Sequence, residues 1–489
     1  MTSDYQLDLE LIKKRAIAGV VTFTLRTFFI QIFTYVAIFV LTIILDEPTY
    51  GIYVFVSALI NILVYFSDIG LAAALIQKKE DLNQKDLSTT FTIQQTIVVT
   101  LVLLGLFFSK TIADFYNLDN QGLWLIRVLI FSLLLSSLKT IPSIILERKL
   151  SFTKLVIPQI AESVVFYTTA VVLAVLGFGI SSFTWAVLAR SIVGLTLIYI
   201  LSPWKPAFGL DKSIAKGLTA FGIPFQLNSI IALLKDDLLV VILGKILTFG
   251  QIGYIGWSQK FAYLPLRFFM DSVNKVTFPA YSRLHEHKAQ LGKAIEKSLF
   301  FVTYLVYPSV FGIIAIAPKL VEVIPKYQKW EPALPLLYLF AVNSIFSAIS
   351  TTFTNALFAA GRPKIVLNLM IFWTASTWIL TIPLVLNFGF IGVGFASAIV
   401  ASTSLITIYF IKKEIPVSVG RSIFGPLLIS VVMFLLIRSI QQNIAQGIFS
   451  LILIIFFGAA IYFIISFAIF RKHLLEDAKM IINSLLSKP

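Results

Sequence analysis

The chain has 489 residues, of which 58% are apolar and only 13% charged, with a mean hydropathy of +0.92 and a formal net charge of +15. A soluble core cannot absorb that much apolar surface, so the solvent around most of the chain is lipid. Cysteine is absent, which excludes disulfides, thiolate metal sites and cysteine nucleophiles.

The N-terminal segment carries Asp4, Asp8 and Glu10 ahead of an apolar run too long for a cleavable signal, and reads as an interfacial segment over 1–16. Fourteen apolar runs follow, at 17–44, 49–76, 87–109, 121–146, 155–177, 180–201, 217–243, 249–276, 297–318, 332–358, 365–387, 389–411, 422–440 and 447–470. Each is long enough to cross ~30 Å of hydrocarbon as a helix, and no alternating strand pattern offers a β-barrel instead. The expected fold is an all-α polytopic membrane protein of about fourteen transmembrane helices. It divides into a six-helix lobe (17–201), a linker (202–216), a second six-helix lobe (217–411) and two extra C-terminal helices within 412–470. A tail over 471–489 sets Leu474, Leu475, Ala478, Ile481, Ile482 and Leu485 beside Arg471, Lys472 and Lys479, an amphipathic pattern.

The short connections sort by charge. With the N-terminus placed inside, the inner segments hold 25 Lys and Arg, while the outer loops hold 6, namely Lys110, Lys245, Lys319, Lys326, Lys329 and Arg438. That asymmetry places both termini on the cytoplasmic side and accounts for the basic excess without nucleic acid. A weak internal repeat runs across the lobes. Gly51-Ile52-Tyr53 leading to Asp68 in the second run parallels Gly253-Tyr254 leading to Asp271 in the eighth, and Arg148-Lys149 after the fourth parallels Arg362-Pro363-Lys364 after the tenth. An even number of helices separates each pair, so the lobes have one orientation and a pseudo-two-fold axis along the membrane normal.

Ionisable residues within spans cost a few kcal/mol each and generally face a cavity or a partner. The basic ones are Arg26, Arg127, Lys139, Arg190, Lys235, Lys260, Arg267 and Lys275; the acidic ones are Asp68, Glu162, Asp236, Asp237 and Asp271. The positive excess calls for an anionic cargo, set against complete pairing and snorkelling as the plainer explanation. Helical spacing puts Lys260, Arg267, Asp271 and Asn274 on one face, and likewise Asn61, Tyr65 and Asp68, while Asn228 and Lys235 lie seven apart. The candidate substrate-binding cations are therefore Arg26, Lys139, Lys235, Lys260 and Arg267, with Gln31, Asn61, Tyr65, Asn228 and Asn274 as polar lining. Asp68, Glu162, Asp236, Asp237 and Asp271 are candidates for H+ or Na+ coupling, against static ion pairing. Ser/Thr stripes at 132–143 and 344–354 read as packing seams or cavity lining.

His285-Glu286-His287 reads as a solvated loop rather than a metal site. No P-loop, HExxH or Gly-x-Ser-x-Gly appears, and Glu47-Pro48 reads as a helix start rather than a catalytic acid. No cofactor is expected.

Several short motifs occur in family order: Gly51-Ile52-Tyr53, Ser67-Asp68-Ile69-Gly70-Leu71, Glu147-Arg148-Lys149-Leu150-Ser151-Phe152, Phe221-Gly222-Ile223-Pro224, Phe278-Pro279-Ala280-Tyr281-Ser282-Arg283, Lys329-Trp330 and Ala360-Gly361-Arg362-Pro363-Lys364. Together they resemble the Wzx-type flippases of O-antigen, exopolysaccharide and teichuronic-acid synthesis, within the multidrug/oligosaccharidyl-lipid/polysaccharide exporter superfamily. The resemblance implies two six-helix lobes, alternating access, and undecaprenyl-pyrophosphate-linked oligosaccharide as cargo. It also implies an inner-membrane location, with membrane lipid and a polysaccharide polymerase or chain-length machinery as partners. An ion-coupled multidrug antiporter of the same superfamily predicts an acidic or aromatic pocket instead. A membrane glycosyltransferase or polymerase predicts a long outer loop, and none is present.

Overall fold

Polar residues between the apolar runs set the helix ends. The computed structural model describes residue 22 and residues 25–78, 80–441 and 447–486, without the side chains at 223–225, 227–232, 234, 271–272, 275–276 and from 472 onward. Helix α1 (Leu25–Ile44) gives way to α2 (Glu47–Ser67) at Asp46, which accepts the Thr49 N–H at 3.2 Å, with Pro48 in the first turn. Gly70, at φ +80°, turns the chain into the short α3 (Leu71–Gln77). Helix α4 (Gln84–Phe115) starts in a capping box in which the Asn83 side chain accepts the Asp86 N–H at 2.8 Å and Asp86 accepts the Asn83 N–H at 3.1 Å. Asp86 is fully buried and pairs with Lys78 at 2.7 Å; that hydrogen bond holds the Lys78 ammonium above its ordinary pKa.

Next come α5 (Asn120–Leu138), α6 (Thr140–Arg148), α7 (Phe152–Val175), α8 (Ser181–Leu201), α9 (Lys212–Lys235), α10 (Asp237–Ile246) and α11 (Phe249–Ala262). Arg148, ending α6, donates to the Leu75, Lys78 and Glu80 carbonyls at 2.9, 2.6 and 2.7 Å, so one guanidinium closes the C-terminal end of α3. The remaining elements are α12 (Leu264–Leu284), α13 (Lys288–Val323), a 3₁₀ turn at Gln328–Ala333, α14 (Leu334–Ala359), α15 (Pro363–Phe388), α16 (Ile391–Thr403), α17 (Ile406–Glu414), α18 (Val419–Gln441) and α19 (Ile448–Leu486). Helix α19 continues past a non-helical Phe470, so the described part of the tail, to Leu486, is helical. No strand occurs among the described residues.

Twelve of these helices, counting α5–α6 and α16–α17 as single spans, are long and apolar enough to cross a membrane. Twelve of the expected runs correspond to these spans, 49–76 only as far as Ser67, after which Asp68–Gly70 set off α3; the runs 217–243 and 249–276 are each bent at one residue, Asp236 between α9 and α10 and Tyr263 between α11 and α12. Large apolar side chains such as Leu103, Phe107, Phe449 and Phe456 point outward unpacked, which a lipid solvent tolerates and water does not.

The chain forms two compact units, Met1–Gly253 and Tyr254–Pro489. In the first, α4 packs on α5, α5 on α8, α7 on α8 and α2 on α5; in the second, α13 packs on α14, α14 on α16, α15 on α16 and α12 on α14. The same pairings recur six spans later, which gives the weak sequence repeat a physical basis. The turns after α6 and α14 match as well, with left-handed residues at Leu150 (φ +51°) and Gly361 (φ +73°). Helices α18 and α19 have no counterpart in the first unit and pack on α13. The pieces α9 and α10 pack on α2, and α9 also on α3 and α4. There Gly222 lies against the backbone of Ile69 and Gly70, an approach with no room for a Cβ.

Candidate functional site

The first unit holds a cavity of about 490 Å³ running from the middle of α2 to its C-terminal end. Its wall comes from α2 (Tyr53, Ser57, Asn61, Ser67 and the following Asp68), α4 (Gln94), α5 and α6 (Ser132, Ser136, Ser137, Thr140) and α8 (Arg190), with a few aliphatic residues between. Ser132 and Ser136 lie four apart on α5, so they fall on one face and both line the cavity. Arg190 is the sole charge of its span; its guanidinium lies 5.0 Å from the Phe166 ring centre and has no ion pair among the described residues. Tyr53 stacks on Phe183 at 4.0 Å beside it. Gln94 is 3% exposed; its amide donates to Thr140 Oγ1 at 3.0 Å, and its Oε1 is buried with no hydrogen-bond partner among the described residues.

The nominated residues separate into distinct surroundings. Asn61 and Asp68 line this cavity. Asn61 donates to Asp237 Oδ1 at 3.0 Å, tying α2 to the first residue of α10. Asp68 Oδ1 accepts the Leu71 N–H at 2.9 Å and the Ala72 N–H at 3.5 Å, so it caps α3 as well as facing the cavity. The Tyr65 carbonyl accepts Gln226 Nε2 at 2.8 Å. Lys139, between α5 and α6, and Glu162 on α7 form one ion pair, Nζ to Oε1 at 2.6 Å. Glu162 lies across Gly194 of α8, where any Cβ would overlap its carboxylate. Lys139 was nominated for cargo and Glu162 for ion coupling; the structure gives each to the other.

At the bend of the seventh run, Lys235 ends α9, Asp236 is exposed between the pieces and Asp237 begins α10. Three consecutive charges that cannot share a helix face occupy the point where the helix bends. At the bend of the eighth run, Lys260 lies in the last turn of α11 and Arg267 in the first turn of α12, near enough to repel each other. Pro265 supplies no N–H there, and the Ala262 carbonyl is met by the buried Ser344 hydroxyl at 2.7 Å. Tyr263 reaches Ser397 at 3.5 Å, and Asn343 donates to the same Ser397 Oγ at 2.8 Å. Arg26 and Gln31 are partly buried on α1, with Arg26 Nε unpartnered among the described residues, and Asn274 is partly buried on α12. Asn228 and Asp271 lie outside the described side chains.

The spacing argument left out Arg190, Gln94 and Tyr53. Arg190 had a signal, being alone in an otherwise uncharged span; Gln94 and Tyr53 had none, because only tertiary packing brings them to it.

Residues 40–335, more than half of the chain, match the family model described as polysaccharide biosynthesis protein. The chain belongs to that family. Its cavity and both bent runs lie inside the matched region. This polysaccharide biosynthesis protein is 24% identical to the succinoglycan biosynthesis transport protein ExoT of Rhizobium meliloti, over 70% of its own length and 67% of that protein. It is 22% identical to the lipopolysaccharide biosynthesis protein WzxC of Escherichia coli, over 74% of each. Among solved structures its fold resembles the lipid II flippase MurJ in an inward closed conformation, with TM-score 0.76 and 19% identity over 93% of this chain and 100% of that one. The membership of this polysaccharide biosynthesis protein agrees with the resemblance that its motifs carry.

Proposed function

We propose that the protein carries an anionic oligosaccharide, linked to undecaprenyl pyrophosphate, from the cytoplasmic to the outer leaflet of the bacterial inner membrane by alternating access. The observation that carries this reading is the coincidence of helix bends with cations in the seventh and eighth runs, Lys235 beside one bend and Lys260 and Arg267 flanking the other. Ionisable side chains at membrane depth generally face the bundle interior or a water-filled space and mark transport paths, and helix irregularities there are tolerated where they line such a space. The cargo needs that space, because each bare hydroxyl costs roughly 2–7 kcal/mol to bury and each charge far more. Arg267 can hold a phosphate or carboxylate with two parallel hydrogen bonds, while Lys260 and Lys235 act as mobile point charges. The prenyl tail stays in lipid. Asp236 and Asp237, at the first bend, are the carboxylates on which an H+ or Na+ gradient would act, and a polymerase on the outer side would remove the product.

The test replaces Lys260 and Arg267 together with Gln. Membrane insertion should be unchanged, surface polysaccharide should fall, and lipid-linked intermediates should accumulate on the cytoplasmic leaflet. Normal export by the double variant refutes the reading.

A further inference from the structure

The geometry points to the cavity of the first unit as a subsite for an acidic sugar ring, a hexuronate or similar, with its carboxylate on Arg190 and a ring hydroxyl on Gln94. This deepens the reading above and rests on it for the identity of the cargo. Two independent observations converge. The first is a cation without an ion pair among the described residues: Arg190 faces the cavity with the Phe166 ring against it and the Tyr53 and Tyr167 phenols near by. The cavity's carboxylate, Asp68, already accepts two backbone N–H groups through Oδ1. The second is the orphaned Oε1 of Gln94, 97% buried by its 3% exposure, in the same wall. A buried amide oxygen without a donor costs about 1–3 kcal/mol, and its amide nitrogen is already committed to Thr140. Such an acceptor calls for a hydroxyl or N–H donor from a ligand, while the guanidinium calls for an acceptor pair.

A sugar acid presents both on one ring. Hydroxyls such as Ser136 give further partners, and Tyr53 contributes ring surface to the wall. A volume of about 490 Å³ lies within the ~300–1,000 Å³ usual for small-molecule pockets. A simple inorganic anion leaves Gln94 unanswered, and a neutral hexose leaves Arg190 unanswered.

The full-length protein in detergent is tested by saturation-transfer NMR with sodium glucuronate, using glucose as the comparison. Glucuronate should bind in the millimolar range and glucose markedly more weakly. R190Q should weaken glucuronate at least about tenfold, the loss of a charge-assisted bidentate contact. R190K should weaken it less, because the charge stays and the fork is lost. Q94L, checked for folding by its thermal midpoint, should weaken both sugars and guards against misfolding of R190Q. Absence of glucuronate binding to the folded protein, or unchanged binding in both R190Q and Q94L, overturns the inference. Subsite and transport cations fail separately: the subsite is read by binding at Arg190, and the role of Lys260 and Arg267 by export.

Discussion

Lys139 and Glu162 offer a decisive separation of structural charge from transport charge. Their 2.6 Å contact joins α7 to the junction of α5 and α6, with side chains 18% and 25% exposed. Replacing Lys139 with Met leaves the Glu162 carboxylate without its cation, pressed over Gly194 among apolar neighbours. Stranding one member of a buried pair costs about 3–5 kcal/mol, and the residual exposure places this pair near 3 kcal/mol. Exchanging both partners, K139M/E162Q, removes the stranded charge and should restore most of that loss. Thermal unfolding of the four proteins of the cycle in detergent measures the coupling, and polysaccharide export measures function. The expected result is a large drop in each single variant, recovery in the double variant, and near-normal export by the double variant. Equal destabilisation of the singles and the double would mean the pair is not a closed unit. Lost export in a stable double variant would return Lys139 to the cargo path.

Three further outcomes follow from the geometry. The Asp211 carboxyl, bound by the Ser213 hydroxyl at 2.6 Å and by the Ser213 and Ile214 N–H groups, is held below its ordinary value, so its contribution is present above the unfolded value near 4 and lost as pH falls through the lower folded one. Limited proteolysis of the loop before α9 should therefore accelerate only below about pH 4, and D211N should remove that dependence. G222A should push α9 off the Ile69–Gly70 turn and lower stability by about 1–3 kcal/mol, read as a thermal shift; an unshifted midpoint contradicts the close approach. S344A should cost about 1–3 kcal/mol by stripping the Ala262 carbonyl of its donor, and no change would mean that water replaces the hydroxyl.

Much of the fold was legible because lipid imposes a simple rule: apolar stretches of adequate length become helices, and polar residues between them become ends. Asp46, Asn83 and Asp119 each cap the helix that follows, and Glu47-Pro48 opens α2 as its chemistry predicts. The repeat was faintly visible as Gly51/Gly253 and Arg148/Arg362, and the helix pairings make it plain. The bends at Asp236 and Tyr263 were not visible. Both runs are apolar enough overall to pass for single spans, and hydropathy averages over the few residues where the backbone turns. In hindsight, Lys235-Asp236-Asp237 and Tyr263-Leu264-Pro265 are the local signals, a charge cluster and a missing donor.

Which cations are available to a ligand was the less legible part, and Lys139 and Arg190 show why. Lys139 shares its span with Arg127 and Arg190 is alone in its own, but neither pattern says which of the two meets a carboxylate. The difference is made on α7 and α8. Helix α7 brings Glu162 to Lys139 across the gap that Gly194 leaves open, and one turn or so away it brings Phe166 to Arg190. A carboxylate cancels the first charge; an aromatic face shelters the second without cancelling it. Two positions on one neighbouring helix thus separate a paired Lys139 from an Arg190 without an ion pair among the described residues. Exchanging those neighbours in kind, with Phe166→Glu, should neutralise Arg190 and abolish glucuronate binding while leaving the Lys139–Glu162 pair in place. Retained binding in a folded F166E protein would show that the charge on Arg190 is not what the cavity uses.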